Sequence, residues 1–195
     1  LYHFSRQFHD LKISAERLID IKGNIGKWYR YISFKHGVIS PAGSKIMSGI
    51  REGFPTLVKH EGEWVGEYIH VDPQNNVVDR HKSHLQCKFP EDGSEYDYYQ
   101  INTYEWEDGK KDEIHFPATY KDGRIWWDTD RIEGSAWQID DRTVMLHWTR
   151  KDMPGTYLYE MIQISEDKNK RGRTWHWFEN DELVKRTCIK ETRLK

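Results

Sequence analysis

From residue 63 onward, apolar and polar residues alternate in short runs, and turn-forming clusters separate nearly all of these runs. The clusters are Asp72-Pro73-Gln74-Asn75-Asn76, Glu91-Asp92-Gly93, Glu107-Asp108-Gly109, Lys121-Asp122-Gly123, Asp140-Asp141, Met153-Pro154-Gly155 and Asn180-Asp181. Each supplies glycine, proline, asparagine or aspartate where a tight reversal needs it. Period-two patterning between such reversals predicts antiparallel strands near 63–71, 79–89, 95–106, 112–120, 124–128, 134–139, 143–151, 156–165, 173–180 and 183–193. Ten strands joined without intervening helices make a meander. A flat sheet of that width leaves two long edges, and closure into an up-and-down barrel removes both. The expected fold class is therefore all-β, an antiparallel barrel of about ten strands with helices confined to the N-terminal side.

Residues 1–60 have a different texture and are expected to form a helical cap or lid over a barrel spanning 61–195. Ser14 can cap a short helix at 15–22, which Gly23 ends. Ser40-Pro41 is a helix start, Ile46, Met47, Ile50 and Phe54 give that helix an apolar stripe, and Pro55 is expected to end it. Trp28, Tyr29, Arg30 and His36 are the candidates for lid contacts with a ligand.

A formal net charge of -2, with 32% charged residues of both signs interspersed, gives no basic field for nucleic acid or an anionic membrane. No apolar run approaches the roughly 18 residues of a membrane span. Cys87 and Cys188 match no zinc or redox spacing and read as two free thiols in a reducing compartment. A cytoplasmic location is the expectation; the chain starts at Leu1 without a methionine, which leaves a removed N-terminal segment open. A homo-oligomer is left open as well.

The strand faces are unusual for a barrel, because both carry bulky groups, so period two alone does not say which face is inward. Tyr96, Tyr98, Gln100, Asn102, Tyr104 and Trp106 share one face of a single strand. Glu160 shares a face with Leu158, Ile162 and Ile164, while Tyr157, Tyr159 and Met161 occupy the opposite one. Trp175 and Trp177 flank His176, and Leu146 and Trp148 flank His147.

At the first strand the text is Gly62-Glu63-Trp64-Val65-Gly66-Glu67-Tyr68, followed by Asp72-Pro73 and a pairing strand. This pattern resembles the calycin superfamily, in particular lipocalin-like and nitrobindin-like barrels whose first strand carries W-x-G. The resemblance covers about residues 60–195 and implies that Trp64 closes the barrel floor. It also implies a basic residue of the last strand packed over that tryptophan, for which Arg186 is the best match. Gly66 is expected to let a neighbouring chain pass close. Chain length and tyrosine and tryptophan content also resemble cofactor-free lyases of bacterial aromatic catabolism, the phenolic acid decarboxylases and lignin-dimer lyases.

No G-x-S-x-G elbow and no phosphate-cradling glycine loop occurs, which removes hydrolase, kinase and dinucleotide-oxidoreductase readings. His81-x-x-His84 is no strand ligand pair, since those positions face opposite sides, and no metal or other cofactor is expected. General acid–base chemistry in a barrel cavity is the leading expectation: a cofactor-independent lyase that takes a phenolic small molecule through a quinone methide and releases formaldehyde or carbon dioxide. Tyr98 and Tyr104 would hold the phenol. Glu160, if buried, would have a raised pKa and move a proton, with His147 or His176 as second carrier. Trp64, Tyr68, Trp148, Tyr159, Trp177 and Arg186 are the expected substrate contacts. The competing expectations are a carrier that binds a hydrophobic ligand without chemistry and, third, a haem-binding barrel.

Overall fold

The structure is a computed structural model that describes residues 49–91 and 93–195, all within one compact unit. Ten strands form a closed antiparallel barrel: β1 Gly62–Val71, β2 Val77–Lys88, β3 Tyr98–Glu105, β4 Lys111–Lys121, β5 Arg124–Asp128, β6 Ile132–Gln138, β7 Thr143–Arg150, β8 Thr156–Ile164, β9 Lys170–Glu179 and β10 Glu182–Arg193. Each strand pairs with its chain neighbours, and β1 pairs with β10 to close the ring. The barrel thus leaves no edge among the described residues, as the strand count requires. Strand limits differ from the sequence expectation by at most three residues at any end.

The turns behave as their chemistry dictates. Asp122 and Gly123 both have positive φ (52° and 78°), as do Asn180 and Asp181 (49° and 68°). Two consecutive positive-φ residues make the mirror-image turn that matches strand twist, which is why β4–β5 and β9–β10 are tight hairpins.

Ahead of the barrel lie two single-turn helices, α1 Ile50–Gly53 and α2 Pro55–Val58. Pro55 was expected to end a helix; instead it opens α2, because its fixed φ and missing N–H suit a first helical position. The other expected helices, and the lid candidates Trp28, Tyr29, Arg30 and His36, lie outside the described residues. Ile50, Phe54 and Leu57 are buried. The Thr56 hydroxyl donates to the Asp140 carbonyl at 2.8 Å, and Lys59 reaches the Asp141 carbonyl, so α2 sits on the β6–β7 turn and seals that end of the barrel. The Trp64 indole donates to the His60 carbonyl at 2.9 Å, joining the same floor.

Register decides which face is inside. Trp64, Tyr68 and His70 of β1 point inward, as do Leu146 and Trp148 of β7, Leu158, Glu160 and Ile162 of β8, and Arg171, Arg173 and Trp175 of β9. The interior therefore contains charge. Cys87 is buried and Cys188 exposed, and both are free thiols.

Candidate functional site

Three layers fill the barrel from floor to mouth. At the floor, Trp64 lies between two guanidinium groups, Arg171 at 4.4 Å and Arg193 at 4.3 Å from its ring centroid. Arg193 is the register partner of Trp64 across the β1–β10 seam. It also donates to the carbonyls of Lys59 (2.6 Å), Lys168 (2.9 Å) and Glu61. The expected closing cation was Arg186. That residue pairs with Val71 and His176 near the opposite end and donates to the Pro73 carbonyl at 3.1 Å, too far along β10 to reach Trp64. The contact exists, but Arg193 and Arg171 supply it.

In the middle layer, four buried charges balance in pairs. The Arg173 guanidinium donates to Glu160 at 2.5 Å, to the Tyr68 hydroxyl at 3.0 Å and to Glu191 at 3.4 Å. Arg171 donates to Glu191 and lies 3.4 Å from His60 Nδ1. Burial works against both guanidinium charges, but Glu191 beside Arg171 and Glu160 beside Arg173 hold them above the ordinary arginine range. Burial alone would raise the Glu191 pKa; Arg171 and Arg173 overcome it and hold the carboxyl below its usual value. His60 is pushed well below its usual pKa by burial first and by Arg171 next.

Along the inner face of β3 runs a chain of hydrogen bonds: Tyr98 hydroxyl to Gln100, Gln100 amide to Asn102, and Asn102 amide to the Tyr104 hydroxyl, each 2.7 Å. Burial raises the pKa of Tyr68, Tyr98 and Tyr104, so these phenols stay protonated and act as hydrogen-bonding hydroxyls. Between this strip and the β5–β9 wall lies a cavity of about 40 Å³. Tyr98, Gln100 and Asn102 line it from β3 beside Phe116 of β4, and the facing wall is mostly apolar, with Trp127, Trp148, Trp175, Ile125 and Leu146 around the paired Glu160 and Arg173. The indole nitrogens of Trp127 and Trp175 are buried without a hydrogen-bond partner.

Of the residues expected to gather at a site, Tyr68, Tyr98, Tyr104, Trp148, Glu160 and Trp177 do share the interior, with Trp64 below them. Three do not. His147 lies between inward Leu146 and Trp148, Tyr159 between inward Leu158 and Glu160, and His176 between inward Trp175 and Trp177. Alternation therefore turns all three to the outer surface. There His147 packs on Tyr159, ring centroids 4.6 Å apart, and Tyr159 is 46% exposed. Glu160, the expected proton carrier, is buried as that role requires and is held by Arg173 of the neighbouring strand.

Sequence reading missed the buried arginines and Glu191. A signal was present: Arg171 and Arg173 alternate in phase with Trp175 and Trp177, whose face was singled out, so one inward tryptophan makes both arginines inward. At the mouth, His70, Asp79 and His81 converge from β1 and β2. Asp79 Oδ2 lies 2.7 Å from His81 Nδ1 and 3.7 Å from His70 Nε2. Burial, then Lys185 and His81, bring the His70 pKa down to about 4 despite Asp79. His84 faces outward and meets Glu63 at 2.7 Å, as its spacing from His81 requires.

The geometry defines the class: a closed ten-strand antiparallel barrel with a polar interior. Residues 51–195 match the N-terminal domain of unknown function DUF3598, and the chain belongs to that family. A comparison with curated proteins finds no match. Among solved structures, a DUF3598 protein of unknown function from Nostoc punctiforme is similar at TM-score 0.55 and 16% identity, over 71% of this chain and 49% of that one. The chain thus spans about half the length of that relative. The S-type phycobiliprotein lyase CPES from Guillardia theta is similar at TM-score 0.58 and 14% identity, over 76% of this chain and 94% of that one. Rv2717c from M. tuberculosis follows at TM-score 0.51 and 10% identity, over 73% of this chain and 98% of that one. At such identities the likeness shows the fold alone.

Proposed function

We propose that this domain is a small-molecule-binding barrel of calycin type, whose ligand is an aromatic or conjugated molecule bearing oxygen acceptors. The observation that carries the reading is the two-sided cavity. One side is a hydrogen-bonded polar strip, and the other includes Trp127 and Trp175, whose buried indole N–H groups have no acceptor. A buried N–H without a partner costs about 1–3 kcal/mol, which an acceptor-bearing ligand recovers on binding. The aromatic wall suits a flat ring, and the polar strip orients it. At about 40 Å³ the cavity holds a few water molecules, so a ring-sized ligand enters as the aromatic wall gives way. A phycobiliprotein lyase among the barrels of similar fold is in keeping with small-molecule handling.

The test is a titration with a panel of hydroxycinnamic acids and phenolic dimers, read by tryptophan fluorescence. Saturable quenching is expected, weakened about tenfold or more in Asn102→Leu, which breaks the polar strip, and unchanged in Tyr159→Ser on the outer face. No saturable quenching across the panel rejects the reading.

Cofactor-free lyase chemistry is the second reading, favoured by Tyr98 and Glu160 in the cavity lining, with Tyr104 joined to it through Asn102. It rests on Tyr98, Tyr104 and Glu160, with the phenols as hydrogen-bond donors to a substrate oxygen and Glu160 accepting a proton once a substrate draws Arg173 away. Growth of stilbene absorbance from phenolic dimers supports it; tight binding with unreacted ligand leaves the domain a carrier.

A further inference from the structure

The mouth of the barrel, separated from the cavity lining by Tyr68 and Tyr104, contains a second constellation. We infer that His70, Asp79 and His81 form a mononuclear site for a divalent first-row transition metal. The β1–β2 register creates it. His70 is paired directly with Asp79, and His81 follows two residues later on the same inward face, paired with Tyr68. One ligand atom from each residue lies within 4.8 Å of the other two. The 3.7 Å separation of Asp79 Oδ2 from His70 Nε2 already suits two ligands of one ion. The 2.7 Å separation from His81 has to open by a fraction of an ångström, which an aspartate χ rotation provides.

The surroundings orient the set. The Thr187 hydroxyl engages His70 Nδ1 at 2.7 Å, which directs Nε2 toward Asp79. The Trp106 indole donates to Asp79 Oδ1 at 2.8 Å, which leaves Oδ2 for the ion. Tyr68 stacks on His81 with centroids 5.0 Å apart and fixes the ring plane. Ligand groups whose second atoms are anchored in this way are the usual outer shell of a metal site. Lys185 also faces the cluster, and Asp79 and Glu179 offset its charge.

Two imidazoles and one carboxylate suit Zn²⁺, Fe²⁺, Mn²⁺ or Co²⁺ rather than Ca²⁺ or Mg²⁺. Three protein ligands leave at least one position for water or a substrate oxygen. His81 and Trp106 also border an open groove of about 380 Å³, lined further by Arg80 and Lys82 and by Glu67, Glu105 and Glu107, which gives solvent access to that side of the cluster.

The experiment treats the protein with chelator, removes the chelator and titrates Zn²⁺ by calorimetry and Co²⁺ by visible absorption. The expected result is one-to-one binding, with Co²⁺ ligand-field bands of a nitrogen–oxygen set. Asp79→Asn and His81→Gln are expected to weaken Zn²⁺ by about 100-fold or more, and Thr187→Val by about 10- to 100-fold. The outward His84→Gln leaves binding unchanged. Circular dichroism confirms that the variants fold, and the Co²⁺ spectrum of the unaltered protein is independent of them. Absence of one-to-one binding, or binding that survives Asp79→Asn and His81→Gln in folded protein, overturns the site and leaves a hydrogen-bonded relay.

Discussion

Trp64 shows how one residue organises the floor. Its indole donates to the carbonyl of His60, and its two faces carry Arg171 and Arg193. Arg193 adds hydrogen bonds to three backbone carbonyls that bring the pre-barrel segment, the β8–β9 turn and the seam together. Charged hydrogen bonds and a partly desolvated cation–π contact make its loss expensive, so Arg193→Gln is expected to lower stability by about 2–4 kcal/mol in urea unfolding. Arg186→Gln, with one bond to the Pro73 carbonyl, is expected to cost less than about 1 kcal/mol. Gly66 fulfils its expected role: a Cβ there would lie 2.3 Å from the Lys190 carbonyl oxygen and 3.0 Å from Glu191 Cα across the seam. Backbone on the partner strand cannot move aside, and Gly66→Ala is expected to cost about 1–3 kcal/mol. Trp64 and Gly66 were legible because W-x-G is local. The closing arginine was not, because β10 carries Lys185, Arg186, Lys190 and Arg193, and only the β1–β10 register selects among them.

At the scale of elements, strands were legible through their turns while their inward faces were not. The usual guide, apolar inside, fails on β9, where Arg171 and Arg173 are the inward residues and balance Glu160 and Glu191 in the core. Glu160 on an aliphatic face was the visible sign of that arrangement, and its partner was hidden one strand away. Removing one member leaves a buried uncompensated charge, so Glu160→Met is expected to destabilise by about 3–5 kcal/mol. Adding Arg173→Met is expected to cost less than the two single changes summed, by about 1 kcal/mol or more in a double-mutant cycle. Acid sensitivity belongs to this layer too. His60, between α2 and β1, is neutral in the folded barrel because burial and Arg171 oppose its charge. An unfolded histidine takes up a proton below about pH 6.5, which the folded one cannot do. Stability should therefore fall as pH drops through that value. Glu191, held below its ordinary pKa, adds a further loss below about pH 4.5 as the unfolded carboxylate protonates first. Urea midpoints followed from pH 7 to 5 are expected to decline in the native protein and to decline less steeply in His60→Gln, where His70, with its pKa at about 4, still contributes.

For the whole molecule, ten strands closed in chain order follow from turn spacing and from the need to remove edges, and both were readable in the amino-acid pattern. Cavity position and size were not, since they depend on how side chains from different strands interdigitate. Nor was the separation of the candidate residues into an interior group around Tyr98, Tyr104 and Glu160 and an outer group of His147, Tyr159 and His176. Closure confers an inside, and register fills it with a polar strip facing an aromatic wall. The central claim is that a ligand oxygen completes that inside by accepting from the free indoles. Nitrogen-15 NMR of the indole N–H groups tests it directly during titration with a hydroxycinnamic acid. The account predicts saturable downfield shifts for Trp127 and Trp175, with exposed Trp126 unmoved. Saturation without movement of the Trp127 and Trp175 signals would contradict it.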